Sequence, residues 1–169
     1  MSFEVRLASN EDLASLEAVE LLAAERFNTA KVTGGLEKRT VSRSQLRAAQ
    51  AAKELWIAQA AEGKIVGFLL AEPLDENLHV AEVSVIPSHG RQGVGATLIK
   101  AAVEHAKAAS YKRVTLTTFS SVPWNGPFYA KQGFREMVAA EIGVGLATRI
   151  EQERALGLIN RVAMCRGGA

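Results

Sequence analysis

The sequence predicts a single mixed α/β domain spanning residues 1–169, because strand and helix patterns alternate along the whole chain. A β-branched run at Val80, Val83 and Val85 ends at Pro87, and apolar residues at helical spacing follow a glycine-containing loop. The next alternating run, 113–119, follows that helix directly, which predicts two parallel strands joined by a right-handed crossover. No repeat, low-complexity segment or linker divides the chain.

Cap residues and turn signals set the boundaries of the predicted elements. Residues 9–12 combine a cap candidate with acidic side chains, and Ser42 or Ser44 is expected to cap a second helix. Glu62-Gly63 predicts a hairpin. In chain order, the sequence predicts a strand at 3–7, a helix to about 27, a loop at 28–40, a helix to 52, strands at 55–61 and 64–71, a polar turn at 73–77, a strand at 78–86, a helix from 94, a strand at 113–119, a helix at 124–132, a strand at 134–138, a helix at 145–156 and a strand at 159–165. The order is βααβββαβαβαβ, with about seven strands in one central sheet.

Composition and charge exclude several classes of protein. A hydrophobic content of 48% with 22% charged residues is ordinary for a soluble domain, and a net charge of +2 without a basic block argues against nucleic acid as a partner. A single cysteine, Cys165, excludes a disulfide framework, and three scattered histidines do not have metal-ligand spacing. With no membrane-length apolar run and no signal-peptide pattern at the start, the sequence predicts a cytoplasmic protein without membrane contact.

The loop after the β-branched strand is the strongest candidate for a ligand site. It contains Gly90, Arg91, Gln92, Gly93 and Gly95. Free amides at a helix start favour phosphate, glycine permits close approach of the backbone, and the arginine adds a cation. The alternative interpretation is a tight turn without a ligand. The spacing lacks the third glycine of the dinucleotide fingerprint, and no Gly-Lys-Ser/Thr follows as in a P-loop.

A second stretch, 122–134 with the sequence VPWNGPFYAKQGF, discriminates between those interpretations. Together with the glycine loop it resembles the GNAT family of N-acetyltransferases, whose members bind acetyl-coenzyme A. The family's phosphate motif, Arg/Gln-x-x-Gly-x-Gly/Ala, aligns with residues 90–95, so its first position is Gly90 here and Arg91 is displaced by one. Because the family uses mainly backbone amides at this loop, binding is expected to survive, although a side-chain contact from position 90 is lost.

The end of the short helix at 124–132 carries the other part of the resemblance. The family has a tyrosine followed by a Gly-Phe pair, and Tyr129, Gly133 and Phe134 match in order and spacing. An asparagine usually precedes that tyrosine by about two helical turns, whereas Asn125 is one turn away. Asn125 is therefore expected either to contact the coenzyme or to cap the helix.

The resemblance implies a GNAT-like fold in which two strands splay apart and hold acetyl-CoA. The thioester would lie between the strands 80–86 and 114–119, with its carbonyl near the amide of Val83. The pantetheine arm would follow the first strand, and the diphosphate would meet amides of the glycine loop. The implied coenzyme-binding residues are Val83, Ser84, Val85, Arg91, Gln92, Gly93, Val94, Gly95, Ala96, Asn125 and Tyr129. No metal is implied.

Two residues are candidates for the acid and base of amine acetylation. Tyr129 is the candidate acid, because a phenol with a pKa of about 10 stays protonated at neutral pH yet can protonate a thiolate; packing with Phe128 is its alternative role. Glu82 is the candidate base, since strand alternation puts it on one face with Ser84, and desolvation would raise its pKa. Its alternative role is a surface salt bridge.

Other conspicuous residues have weaker assignments. His79 could act as a base through water, His89 is expected to face solvent or phosphate, and His105 is expected to pack in the core. Trp124 is expected either to cover the coenzyme or acceptor or to be buried.

A second Gly-Val-Gly occurs at residues 143–145, beside Glu141. Because that carboxylate would repel phosphate, a turn or helix start is the better interpretation.

These residues together predict a transferase that moves an acetyl group from acetyl-CoA to a primary amine of a small molecule. The loop containing Gly34-Gly35 is a plausible entrance for the acceptor. Acetylation of a protein N-terminus or lysine remains an alternative, as does a non-catalytic sensor that binds coenzyme A. A homodimer paired through strands near the C-terminus is possible, and the sequence does not identify the acceptor.

Overall fold

The computed structural model describes residues 2–29, 40–120 and 122–167, which form one seven-stranded sheet with five α-helices. The elements are β1 (Phe3–Leu7), α1 (Leu13–Thr29), α2 (Arg43–Ala51), β2 (Leu55–Ala60), β3 (Ile65–Leu74), β4 (Asn77–Val85), α3 (Val94–Ala108), β5 (Arg113–Phe119), α4 (Asn125–Lys131), β6 (Arg135–Glu136), α5 (Val144–Ala155) and β7 (Arg161–Gly167). This order confirms the predicted succession of strands and helices. The predicted loop tip at Gly34-Gly35 lies outside the described residues.

The sheet has the strand order β1-β2-β3-β4-β5-β7-β6. All neighbouring strands are antiparallel except β4 and β5, which run parallel across the α3 crossover. The mixed α/β sheet that the sequence predicts is therefore confirmed. Its core is formed largely by β2, β3 and α3, which contribute the fully buried Ile57, Phe68 and Leu98.

The parallel pair of β4 and β5 separates after three residues. Their pairing covers only Leu78 to Val80 on β4, opposite residues 114–116 of β5. On the other side of β4, Val80 pairs with Ala71 and Glu82 with Leu70, so Ala81 is an extra residue in the ladder. Because a bulge bends and twists its strand, it accounts for the point at which β4 leaves β5. The splayed pair implied by the family resemblance is thus present.

Several predicted boundaries are corrected by local geometry. Pro73 lies within β3 and pairs with Leu78, rather than in a turn. The turn consists of Asp75 and Glu76, which both have positive φ, as a two-residue hairpin with the strands' own twist requires. The strand predicted at 134–138 is shortened to the two residues of β6: Met137 still donates to Ala163 O of β7 over 2.9 Å, and a 3-10 turn at Ala139–Glu141 then ends the pairing.

The helix starts follow the predicted cap chemistry at two places. A short 3-10 turn, Asn10–Asp12, leads into α1, and the Ser9 amide donates to the Asp12 carboxylate over 2.7 Å. Ser42, rather than Ser44, caps α2, since its hydroxyl accepts the Gln45 amide at 3.2 Å. Within the described part of the chain, no helix is both long enough and apolar enough to cross a bilayer.

Candidate active site

The N-terminus of α3 presents backbone donors that no described residue satisfies. Gly93 precedes the helix with φ 85° and provides no side-chain cap. The first intrahelical bond runs from Thr97 N to Gly93 O over 3.0 Å, so the amides of residues 94–96 have no acceptor in the described chain. Such amides, together with the helix dipole, favour an anion. We call this group of residues, 90–96, the cradle.

Two glycines of the cradle are required for different reasons. Gly93 adopts a left-handed conformation that side chains disfavour, although a Cβ there would meet open space. Gly95 lies against α4, where a Cβ would come within 3.2 Å of Phe128 Cζ. The first glycine therefore sets the direction of the chain, and the second permits close packing of α3 against α4.

A cavity of about 400 Å³ extends from the cradle to α4. Eight of the predicted coenzyme-binding residues line it: Val83, Val85, Arg91, Gly93, Val94, Gly95, Asn125 and Tyr129. The other three do not. Ser84 is buried and faces a neighbouring cavity, the side-chain amide of Gln92 donates to Ser88 O over 3.3 Å, and Ala96 lines a separate cavity between α3 and the end of α4.

A second cavity, of about 220 Å³, opens where β4 and β5 splay. Its titratable lining comprises Glu20, Glu82, Tyr129, Glu153 and Arg161. The two cavities share four lining residues, namely Ala23, Val83, Asn125 and Tyr129. A group bound in the first cavity and a group bound in the second would therefore meet beside Tyr129.

Glu82 is the titratable residue of β4 in the second cavity. The Ser84 hydroxyl donates to its Oε1 over 2.7 Å, which confirms that the two side chains share a face. Desolvation raises the pKa of Glu82, opposed by the Ser84 hydrogen bond and the charge of Arg161. No ion pair joins Glu82 to any described lysine or arginine, so the surface salt bridge that was its alternative role is absent in this part of the chain.

Glu20 of α1 is a residue of this cavity that sequence reasoning missed. It is 8% exposed, and its Oε2 accepts the Val41 amide at 2.8 Å. Burial raises its pKa, and the nearby Glu82 carboxylate raises it further. The signal was available in the sequence, since Glu20 interrupts the apolar stripe of Leu16, Val19 and Ala23 on one helix face.

Tyr129 packs against two aromatic rings and lines both cavities. Its ring makes edge contacts with Phe128 and Phe134, at centroid distances of 5.0 and 6.0 Å. Burial and the Glu82 charge raise the pKa of its phenol to about 12. The phenol of Tyr129 therefore stays protonated at neutral pH, at the place where the two cavities meet.

The far wall of the second cavity is a polar network that was also missed. Thr117 of β5 donates to Glu153 over 2.7 Å and accepts from Arg161 at 2.9 Å. Glu153 and Arg161 form an ion pair at 3.4 Å, and the guanidinium lies 4.5 Å from the Phe119 ring centroid. Because these partners come from three separate elements, no local pattern in the sequence joins them.

The structure corrects the assignments of Asn125 and Trp124. Asn125 is the first residue of α4 and does not cap it, because Trp124 holds the cap position and no side-chain cap bond forms. Asn125 instead lines both cavities. Trp124 is 38% exposed and lines the first cavity, so burial in the core is wrong for it.

The three histidines differ from one another in their surroundings. His79 is fully buried against Thr115, with a pKa lowered by burial to about 3, and it lines neither cavity. His89 is buried beside Ser88, so the expectation that it faces solvent is wrong, but it does line the first cavity. His105 is half-buried, 3.4 Å from Glu54, rather than enclosed in the core.

The second Gly-Val-Gly begins α5, as predicted. Its helix start is already occupied by the Asp75 carboxylate, which accepts the Gly145 amide at 2.8 Å and the Leu146 amide at 2.7 Å. Glu141 instead pairs with Arg135 and Arg113, so Asp75 is the acid of this helix start.

The profile of the acetyltransferase (GNAT) family matches residues 18–134, more than half of the chain. The chain belongs to the GNAT acetyltransferase family. This confirms the family resemblance found in the two sequence motifs and identifies the protein as an acyltransferase. The match includes the cradle and reaches Phe134, the last residue of the tyrosine motif.

Solved structures share the fold of this acetyltransferase at low sequence identity. PaiA N-acetyltransferase from Thermoplasma acidophilum, in complex with coenzyme A, superimposes with a TM-score of 0.74 at 18% identity, covering 99% of each chain. N-acetylglutamate synthase from Neisseria gonorrhoeae, with coenzyme A and N-acetyl-glutamate, gives 0.74 at 18% identity over 100% of this chain and 36% of its own. The ribosomal-protein-S18-alanine N-acetyltransferase from Escherichia coli gives 0.69 at 13%, covering 99% and 95%.

Proposed function

We propose that this acetyltransferase transfers the acetyl group of acetyl-CoA to a primary amine of a small molecule by direct attack. The observation that carries the proposal is the junction of the two cavities. One cavity begins at unsatisfied backbone donors, the other contains buried carboxylates, and Tyr129 lines both. This is the arrangement that a donor and an acceptor require if they are to react without a covalent enzyme intermediate.

The cradle suits the diphosphate of coenzyme A. Three backbone amides without an acceptor among the described residues and the dipole of a 15-residue helix favour its negative charge, and Arg91 lies at the rim. From there the pantetheine arm would follow Val83 and Val85, which line the same cavity. Two of the similar solved structures contain coenzyme A, which supports the same ligand here.

The acid–base chemistry follows from the two perturbed groups at the junction. The Glu82 carboxylate accepts a proton from the bound ammonium. Its raised pKa favours this transfer, because it lies closer to the pKa of the ammonium than that of an ordinary carboxylate does. The neutral amine attacks the thioester carbon, while the Val83 amide donates to the developing oxyanion. As the C–S bond breaks, the Tyr129 hydroxyl protonates the departing thiolate, and the second proton that the attacking nitrogen loses as the amide forms restores the phenol.

The second cavity favours a small cationic acceptor. Its volume of about 220 Å³ accommodates a few carbon atoms and an amine rather than a folded chain. Three carboxylates, Glu20, Glu82 and Glu153, face it, whereas its one arginine is paired with the third of these. A protein N-terminus or lysine is the alternative acceptor, and a cytoplasmic location and a homodimer remain predictions.

An assay of thiol release with a panel of primary amines tests this proposal. We expect amine-dependent release of coenzyme A, with small cationic amines ahead of peptides. Tyr129→Phe should lower kcat about a hundredfold with little change in coenzyme affinity, because it removes only the proton donor. Glu82→Gln should lower kcat by about the same factor, and Glu62→Gln, in the exposed β2–β3 turn, serves as control.

Two results would contradict the proposal. Coenzyme binding without release for any amine would favour the sensor alternative. Full activity of Tyr129→Phe and Glu82→Gln would remove both residues from the reaction.

A further inference from the structure

Gly90 occupies the position at which the related phosphate motif has arginine or glutamine. The backbone conformation at this position does not require a glycine. Its φ of −65° and ψ of 152° are ordinary for any residue. A Cβ at this position would lie 2.6 Å from Nη2 of Arg26 and 3.3 Å from Pro87 O. The guanidinium of Arg26 therefore occupies the space into which a side chain at position 90 would extend.

Arg26 reaches this place from a different element, α1. It lines the first cavity together with Gly90, Arg91 and Gly93, and it forms no ion pair with a carboxylate of the described residues. One turn earlier on the same helix, Ala23 lines both cavities. A cation is thus present beside the cradle although the motif's own side chain is missing.

We propose that Arg26 binds the diphosphate of the coenzyme and replaces, from α1, the side chain that Gly90 lacks. The inference rests on the proposed function, since it takes a coenzyme A thioester as the ligand of the cradle. A guanidinium suits this role because its planar fork donates two parallel hydrogen bonds to phosphate oxygens. Glycine at position 90 is then the residue that makes room for Arg26.

Calorimetric titration with coenzyme A and with 3′-dephospho-coenzyme A tests the assignment. Arg26→Ala should weaken the binding of both ligands about tenfold, because both carry the diphosphate. Arg47→Ala removes an equal charge from an exposed position on α2 that lines neither cavity, and its affinities should match those of the wild type.

A double-mutant cycle tests the link between the two positions. Gly90→Ala should by itself weaken binding, since its methyl group displaces the Arg26 guanidinium, but it should add nothing to the loss in Arg26→Ala. Arg26→Ala combined with Gly90→Arg should recover affinity, because the cation then comes from the motif position.

The outcomes separate this inference from the function on which it rests. Wild-type affinity in Arg26→Ala would overturn it, as would a loss confined to coenzyme A, which would place Arg26 at the 3′-phosphate. Losses that multiply in the Arg26→Ala, Gly90→Ala double variant would also overturn it. Failure of the wild-type protein to bind either ligand would instead refute the proposed function itself.

Discussion

The tripeptide Gly-Val-Gly occurs at the start of two helices, α3 and α5, but only at α5 does a side chain among the described residues accept the first-turn amides. At α5 the Asp75 carboxylate from the β3–β4 turn accepts the amides of Gly145 and Leu146. At α3 no described side chain accepts the first-turn amides, and a cavity of about 400 Å³ opens onto them. We call the start of α5 sealed, because the protein itself accepts its amides, and the start of α3 open, because its amides face a cavity.

Glycine at a helix start therefore does not by itself make an anion site. A helix start needs acceptors for its first amides, and either the fold or a ligand can supply them. Even the glycine conformations differ, because Gly93 has φ 85° whereas Gly143 has φ −74° and is extended. Gly143 and Gly145 leave room for Asp75, because a Cβ at either position would lie within 3 Å of the Asp75 carboxylate.

Placing a carboxylate at the start of α3 should weaken coenzyme binding strongly. Gly93→Asp and Gly93→Asn should both tolerate the positive φ, but only the first carries charge. We expect Gly93→Asp to bind coenzyme A about a hundredfold more weakly than Gly93→Asn, because its charge repels the diphosphate. Its melting temperature should be at least as high, since an acid stabilises a helix N-terminus. Calorimetry and thermal unfolding check both expectations.

Equal coenzyme affinities in Gly93→Asp and Gly93→Asn would contradict the assignment of the diphosphate to the start of α3, because a charge placed there would then have no effect on binding.

The converse change removes the carboxylate from the sealed helix start. Asp75→Asn keeps the size and tolerates the positive φ of 51°, so it isolates the loss of charge and of one acceptor. We expect the free energy of unfolding to fall by about 2 kcal/mol, because an amide cannot accept both the Gly145 and Leu146 N–H groups. Coenzyme affinity should change less than about twofold, since Asp75 lies outside the cradle cavity. Denaturant unfolding and calorimetry measure the two quantities.

If Asp75→Asn instead lowered coenzyme affinity by as much as it lowered stability, the two helix starts would not be independent sites.

The dependence on pH should distinguish the backbone donors of the cradle from the titratable side chains of the second cavity. Backbone amides do not titrate, so coenzyme affinity should be flat near neutral pH, whereas turnover should rise with pH through the raised pKa of Glu82 and then level off. Ser84→Ala removes a donor that stabilises the carboxylate and so raises this pKa further. The rate should fall about threefold at neutral pH and recover at higher pH, as a kcat/KM profile would record.

Activity that falls with rising pH, with a falling limb that moves to higher pH in Ser84→Ala, would contradict this role, because Glu82 would then have to be protonated in the reaction.

The fold could be predicted from sequence almost throughout, because strand alternation, helical periodicity and cap residues are local signals. They give the succession of all seven strands along the chain and limit the cap of α2 to Ser42 or Ser44, of which the structure has Ser42. Where prediction failed, a partner distant in sequence decided the outcome. Pro73 stays in β3 because the hairpin turns two residues later, and β6 is limited to its two pairs with β7.

Only part of the candidate site could be predicted, and the charged lining residues that were not predicted all come from elements outside the two sequence motifs. The cradle and Tyr129 belong to motifs with fixed spacing, and eight of the named coenzyme residues line one cavity. Arg26, Glu153 and Arg161 come from other elements, and only the folded chain brings them to the site. Asp75 is 71 residues from Leu146, so no window on the sequence could join them.

In the proposed function, the open start of α3 holds a coenzyme A thioester whose acyl group reaches Tyr129. The most direct test of this claim is calorimetric titration of the wild-type protein with acetyl-CoA, with coenzyme A and NAD as comparisons. We predict one site with micromolar affinity for both coenzyme A forms and none for NAD, which lacks the pantetheine arm. No binding of either coenzyme A form would contradict the claim, and so would equal binding of NAD.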